Sequence, residues 1–174
     1  MRFFLIIPLI FLAGCGYQSG AGGAGDSSDG YHWSSLHRPG VRSVAVPIFT
    51  NTDFSRGVEF GLTKSVVNQL ESSTPYKVTS KEKADTVLEG EIVKVLVNTI
   101  SQDNLSSLPQ EQIVGFVVNF TWKDLRSGKI LVERRNFQAA ATYYPTLGED
   151  RLVGRQEATE RLALAIVQEL QSDW

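Results

Sequence analysis

Ile113–Asp124 reads I-V-G-F-V-V-N-F-T-W-K-D, and its even positions Val114, Phe116, Val118, Phe120 and Trp122 are all large and apolar. Successive side chains of a strand point to opposite faces, so this order puts five apolar groups on one side. Asn119, Thr121 and Lys123 fall on the other side. A strand of this kind belongs to a sheet with one covered and one wet face. The cover has to come from elsewhere in the chain.

Working outward, Thr86–Ile100 is a second long strand, and Arg126, Ser127 and Gly128 form a tight connection to a third, from Lys129 to about Thr142. Further upstream, Val41–Phe49 is a short β-rich run in which Pro47 marks an edge position or bulge. Asn51, Thr52, Asp53 and Ser55 supply turn and N-cap candidates ahead of a helix. In that helix Val58, Leu62, Val66 and Leu70 recur every four residues, leaving Thr63, Lys64, Asn68, Gln69 and Glu71 to solvent. It ends near Ser73, because Pro75 turns the preceding residue away from helix. Tyr76–Thr79 is extended again, and Lys81, Glu82 and Lys83 interrupt it. From Asp150 onward Leu152, Ala158, Leu162, Ala165, Ile166 and Leu170 lie at helical spacing. The order predicts an α+β two-layer sandwich, with both helices on one face of a mostly antiparallel sheet of four to five strands.

The chain begins differently. Phe3–Leu12 is apolar, follows Arg2 and has the length of a signal-peptide core, about half of what a membrane-spanning helix needs. Leu12, Ala13, Gly14 and Cys15 then read L-A-G-C and end on the single cysteine. This resembles the lipobox of bacterial lipoproteins, which implies a signal peptide over 1–14, cleavage before Cys15 and acylation of that residue. An exported chain with one thiol has no internal disulfide partner, and a thioether uses that thiol. More than one acyl chain gives stable anchoring on a bilayer. By resemblance to lipoprotein sorting rules, Gly16 in place of Asp favours the outer membrane. Residues 15–40 read as the lipidated cysteine and a flexible tether, with Gly16–Gly30 almost entirely Gly, Ala, Ser and Asp. Gly20, Gly22 and Gly25 satisfy a G-x-G-x-x-G spacing, but without a flanking strand and helix they cannot cradle a phosphate. Residues 41–174 are enough for one α/β domain with a single core. Without Arg2 the mature chain holds 16 basic against 19 acidic residues, and a net charge of −3 disfavours nucleic acid.

Four stretches carry a further resemblance: S-V-A-V-P-I-F-T-N at 43–51, G-V-E-F-G-L-T-K-S-V-V-N-Q-L-E at 57–71, A-D-T-V-L-E-G-E-I at 84–92 and E-A-T-E-R-L-A at 157–163. In that order, behind a lipobox, the chain resembles the lipopolysaccharide-assembly lipoprotein family, LptE. The resemblance implies a lipid-anchored domain of the outer membrane that plugs the LptD β-barrel, assists its assembly and binds lipopolysaccharide. The run V-A-V-P-I-F-T-N before a helix is also shared by lipoproteins with TolB-N-terminal-like or CsgG-like domains. That alternative implies a peptidoglycan-synthase activator or a secretion-channel subunit.

Catalytic patterns are missing from the sequence. The histidines, His32 and His37, lie beside the tether without a third ligand at metal-binding spacing. Asp53, Glu59, Glu89 and Glu91 have the chemistry of an acid–base pair, yet Glu89 and Glu91 share one strand face as ordinary solvated carboxylates do. No P-loop, nucleophile elbow or Ser-His-Asp order occurs. The chain reads as a binding and structural protein with no cofactor and no metal.

Strand order brings 101–110 and 143–151 to one end of the sheet. They carry Leu105, Leu108, Pro109, Tyr143, Tyr144, Pro145 and Leu147, with Arg151 beside them. Either these side chains fold back on the core, or they form an apolar tip that takes acyl chains while Arg151 meets a phosphate. The candidate ligand residues are therefore Arg151, Tyr143, Tyr144, Leu105 and Leu108. Arg134 and Arg135 point to opposite faces, and one of them reaches the helix side, as a packed stem or as a contact to a barrel wall.

Cys15→Ala is expected to abolish lipidation and leave precursor or a soluble periplasmic form. Mass spectrometry of the membrane-extracted protein checks this. A free Cys15 thiol on a mature, membrane-bound chain would contradict it.

Overall fold

The computed structural model describes Arg38 and residues 40–171, so the readings on 1–14, Cys15, the tether, His32 and His37 lie outside the described residues. Two strands dominate: β4 (Thr86–Gln102) and β5 (Pro109–Asp124), paired antiparallel from Thr86↔Asp124 to Gln102↔Pro109. The alternation of β5 is realised, with Val114, Phe116, Val118, Phe120 and Trp122 all buried. β6 (Ile130–Tyr143) pairs antiparallel with β5, after a turn in which Gly128 takes a left-handed φ of 73°.

The other side of β4 holds the N-terminal strands. β1 (Ser43–Ala45) pairs parallel with Thr86 and Val87, and β2 (Thr50–Asn51) pairs parallel with Glu91 and Ile92. They are one strand interrupted around Pro47, as a residue without an N–H requires. β3 (Lys77–Val78) lies parallel to β1 at the edge, giving the order β3-β1-β4-β5-β6 with β2 on β4. The long strands are antiparallel as expected, while this edge is parallel. The connection between β2 and β3 runs through a helix, and such a crossover returns the chain in the same direction.

That helix, α1 (Val58–Ser73), buries Val58, Leu62, Val66 and Leu70. The second, α2 (Arg151–Gln171), packs on β5, β6 and α1. Both helices cover the same face of the sheet, which is the predicted two-layer arrangement. β2 and β6 both run parallel to β4, and each is followed by a returning helix, so α1 and α2 are parallel to one another. Phe49 lies between the layers, and its ring occupies the space a side chain at residue 90 would need: a Cβ there would stand 2.1 Å from Phe49 Cε1. Gly90 is thus a close-approach position in the middle of β4.

Three expectations need correction. The N-cap of α1 is Gly57, with φ 84° and no side-chain cap, because the residues expected to cap it fold the preceding loop instead. Asn51 Oδ1 accepts the Asp53 N–H at 2.9 Å, and Asp53 Oδ1 accepts the Ser55 N–H at 2.8 Å. Asp53 Oδ2 also accepts the Val95 N–H on the β4 edge, at 3.2 Å. The Ser55 N–H holds the Asp53 carboxyl below its ordinary range. Second, Thr63 is buried, not wet: its hydroxyl accepts the Phe49 N–H at 3.0 Å and donates to the Glu59 carbonyl at 2.7 Å. Third, Leu152 is exposed, and the inner stripe of α2 starts at Gly154 and Ala158.

Thr63→Val keeps the shape of the side chain but removes the acceptor for a buried N–H. It is expected to cost about 1–3 kcal/mol, whereas Lys64→Ala should stay within about 0.5 kcal/mol of the parent. Urea midpoints of the two variants check this, and equal midpoints would contradict it.

Candidate functional site

Register decides the shape of the tip. The last pair between β5 and β6 is Gln112↔Tyr143, while β4 and β5 continue to Gln102↔Pro109, so the hairpin outruns β6 by about 10 Å at ~3.4 Å per residue. Its loop is built on Asp103, whose Oδ1 accepts the N–H groups of Leu105 and Ser106 at 2.8 Å each and the Ser106 hydroxyl at 3.0 Å. These donors, the Ser106 N–H foremost, hold the Asp103 carboxyl below its usual range. Thus folded on its own carboxylate, the loop presents Leu105 at 98% exposure and Leu108 at 61%. Neither leucine folds back on the core.

Tyr143 does the opposite. It is buried, with its ring under Gly154 of α2, and its hydroxyl donates to Gln112 Oε1 at 2.5 Å while Gln112 Nε2 donates to Thr99 Oγ1 at 3.0 Å. This chain of polar groups closes the core at the tip end. Tyr143 therefore anchors α2 and is not displayed to a ligand. Tyr144 is exposed, its N–H held by Glu149 Oε2 at 2.7 Å, and the 3-10 turn Pro145–Leu147 follows.

Asp150 caps α2 by accepting the N–H groups of Leu152 and Val153 at 2.8 and 3.0 Å. Arg151, in the first turn, borders a cavity of about 80 Å³ with Ser55, Val95, Val97, Val114 and Arg155. Neither Leu105 nor Leu108 lines it. Register thus brings the two segments to one end of the sheet as expected, but the leucines stand on the hairpin tip, Tyr143 is inside, and Arg151 faces the helix side of β4.

A larger feature escaped the sequence reading. The N-terminal halves of α1 and α2 enclose a groove of about 750 Å³ into which Arg56, Lys64 and Arg155 contribute cations. The available signal was the spacing of Gly57, Gly61 and Ser65, three small residues four apart beside two basic ones. That stripe was legible, but the approach of Arg155 from the second helix was not.

The four carboxylates with acid–base chemistry do not pair. Asp53 holds the loop, Glu59 accepts from Asn51 Nδ2 at 2.9 Å, Glu89 bridges Lys81 at 2.8 Å and Glu91 accepts from Asn119 Nδ2 at 3.5 Å. Arg134 is the arginine on the helix side, its Nε donating to Glu169 of α2 at 2.8 Å, while Arg135 bridges Glu133 at 2.8 Å. A bulge separates them from Phe137, with Asn136 at φ 52°.

A family model described as LptE, lipopolysaccharide-assembly, matches residues 41–172. No protein of curated function matches the chain. Among solved structures, uncharacterized lipoprotein B of Nitrosomonas europaea superposes with a TM-score of 0.54 at 12% identity, over 80% of this chain and 88% of that one. The PelC dodecamer of Paraburkholderia phytofirmans gives 0.53 at 17% identity, over 80% and 96%. The hypothetical protein CT253 of Chlamydia trachomatis gives 0.52 at 14% identity, over 75% and 96%. At these identities the structures share a fold with this chain.

Two glycine substitutions separate the anchor from the groove. A Cβ at residue 154 would stand 2.4 Å from Tyr143 Cδ1, whereas one at residue 61 would meet nothing within 4 Å. Gly154→Ala is expected to destabilise by about 1–3 kcal/mol, and Gly61→Ala to stabilise by up to about 1 kcal/mol through helix propensity. Thermal midpoints that move together would contradict this assignment.

Proposed function

The chain belongs to the LptE lipopolysaccharide-assembly family, and we propose from that premise that it serves as the plug and assembly partner of an LptD-type outer-membrane β-barrel and binds lipopolysaccharide. The observation that carries this reading is the extent of the match, which spans residues 41–172 and so takes in every strand and both helices among the described residues. The two-layer fold is common to several lipoproteins and does not by itself select a partner. In this reading acylated Cys15 holds the domain at the outer membrane, facing the periplasm or seated in the barrel, and residues 16–40 give it reach. The role is non-enzymatic.

The surface suits the assignment. The lumen of an outer-membrane barrel is polar, and the uncovered face of the sheet presents Glu89, Glu91, Asn119, Thr121 and Lys123 on paired strands. Leu105 and Leu108 add an apolar prong at one end, held out by the Asp103 turn. That prong fits a hydrophobic contact, with a barrel loop or with acyl chains, better than it fits water.

Gentle detergent extraction of the native complex tests the reading. Co-purification of a large β-barrel of the LptD type is expected, and its depletion on loss of the chain should follow from an assembly role. A peptidoglycan synthase recovered in its place, or a homo-oligomeric ring, would overturn the proposal.

A further inference from the structure

The groove between the two helices has a definite chemistry. Its walls are the solvent sides of α1 and α2, and because the helices are parallel, both N-termini border it, through Gly57 and Val58 on one side and Leu152 on the other. The positive ends of two helix dipoles therefore point the same way at one place. Arg56, Lys64 and Arg155 add three cations, and among the described residues none of the three has a salt-bridge partner.

Two carboxylates stand near the groove without lining it. Glu59, in the first turn of α1, accepts from Asn51 and feels the charge of Arg56 without forming a salt bridge to it. Asp150 is consumed in capping α2. Glu160 is the one carboxylate among the described lining residues, and its Oε1 accepts from Gln156 Nε2 at 3.0 Å. The balance inside the groove is thus three cations to one anion, although the chain as a whole is slightly acidic. Such a local inversion of sign concentrates anionic ligands.

Shape points in the same direction. Gly57, Gly61 and Ser65 give α1 a low wall, and the open space at Gly61 leaves room for a group larger than a water molecule. Leu152, 63% exposed, supplies an apolar margin. Guanidinium groups bind phosphoryl oxygens in bidentate fashion, and a lysine adds a mobile point charge.

We propose that this groove binds a phosphoryl group, with Arg155 and Arg56 as the guanidinium clamp and Lys64 as the third cation. The proposal rests on the lipopolysaccharide reading only for the source of that group, a phosphorylated glycolipid headgroup; free phosphate carries the same chemistry.

The test uses the full chain purified in detergent, with titrations of diphosphoryl lipid A, its dephosphorylated counterpart and inorganic pyrophosphate. Lys64→Glu/Arg155→Glu is expected to weaken diphosphoryl lipid A at least tenfold while leaving the dephosphorylated lipid unchanged. Gly61→Leu, which fills the groove without entering the core, is expected to do the same, and Arg155→Lys should restore part of the affinity lost in Arg155→Glu. Urea midpoints near the parent value show that the variants are folded. If pyrophosphate binds and is lost in the same variants while lipid A does not bind, the groove stands and the lipopolysaccharide reading fails. If the parent binds diphosphoryl lipid A and both groove variants bind it equally well, the groove proposal is overturned and that reading survives.

Discussion

The structure depends on the register between β4 and β5. Two strands of 17 and 16 residues are locked over almost their whole length, with bulges near Val93 and Ile100. A slip of one residue would turn Val114, Phe116, Val118, Phe120 and Trp122 out to solvent. All five are buried in the core, so the hydrophobic penalty for such a slip is large. Everything else is placed relative to this pair: β1 and β2 on its free side, β6 on the other, and both helices above the face that the alternation selects.

At the end where β4 starts, a carboxylate fixes the strands to one another. Asp85 Oδ2 accepts the N–H groups of Arg42 and Ser43 at 3.2 and 3.1 Å and the Ser43 hydroxyl at 2.9 Å, and Oδ1 meets Arg126 from the β5–β6 turn. The Ser43 hydroxyl foremost, then the Arg42 N–H and Arg126, keep the Asp85 carboxyl below its ordinary range. At the opposite end the closure is Thr99, Gln112 and Tyr143. The core is thus sealed by polar networks at both ends of the sheet, and the hairpin loop beyond the second network contributes nothing to it. Such a segment carries its two exposed leucines without cost to the packing.

What the sequence disclosed and what it hid divide along a physical line. The β5 alternation, the stripe of α1 and most ends of the long strands follow from local periodicity and were legible, but the hairpin runs further than its apolar pattern, with β4 continuing to Gln102 and β5 starting at Pro109, four residues before Ile113. Thr63 was not: a threonine between Leu62 and Lys64 looks solvated until Phe49, fourteen residues away, is known to need an acceptor. Gly154 hid for the same reason, since its value lies in the Tyr143 ring and not in its own helix. Gly57 took the cap because Asn51 and Asp53 were drawn into turns that fasten the loop to β4. At the tip, strand order told which segments meet but not which side chains they display, because that depends on how far one hairpin outruns its neighbour.

The same geometry separates two chemistries along the molecule. The apolar prong stands on a loop that the sheet extends beyond β6, whereas Arg56, Lys64 and Arg155 line the side where two parallel helices begin. Parallel helices are themselves a consequence of the sheet, because β2 and β6 share the direction of β4 and each helix must return against its strand. Reversing either strand would place the N-terminus of one helix beside the C-terminus of the other, and the dipoles would then cancel where they now add. The strand directions thus add to a field whose larger part comes from the full charges of Arg56, Lys64 and Arg155, since each helix start carries only about half a charge.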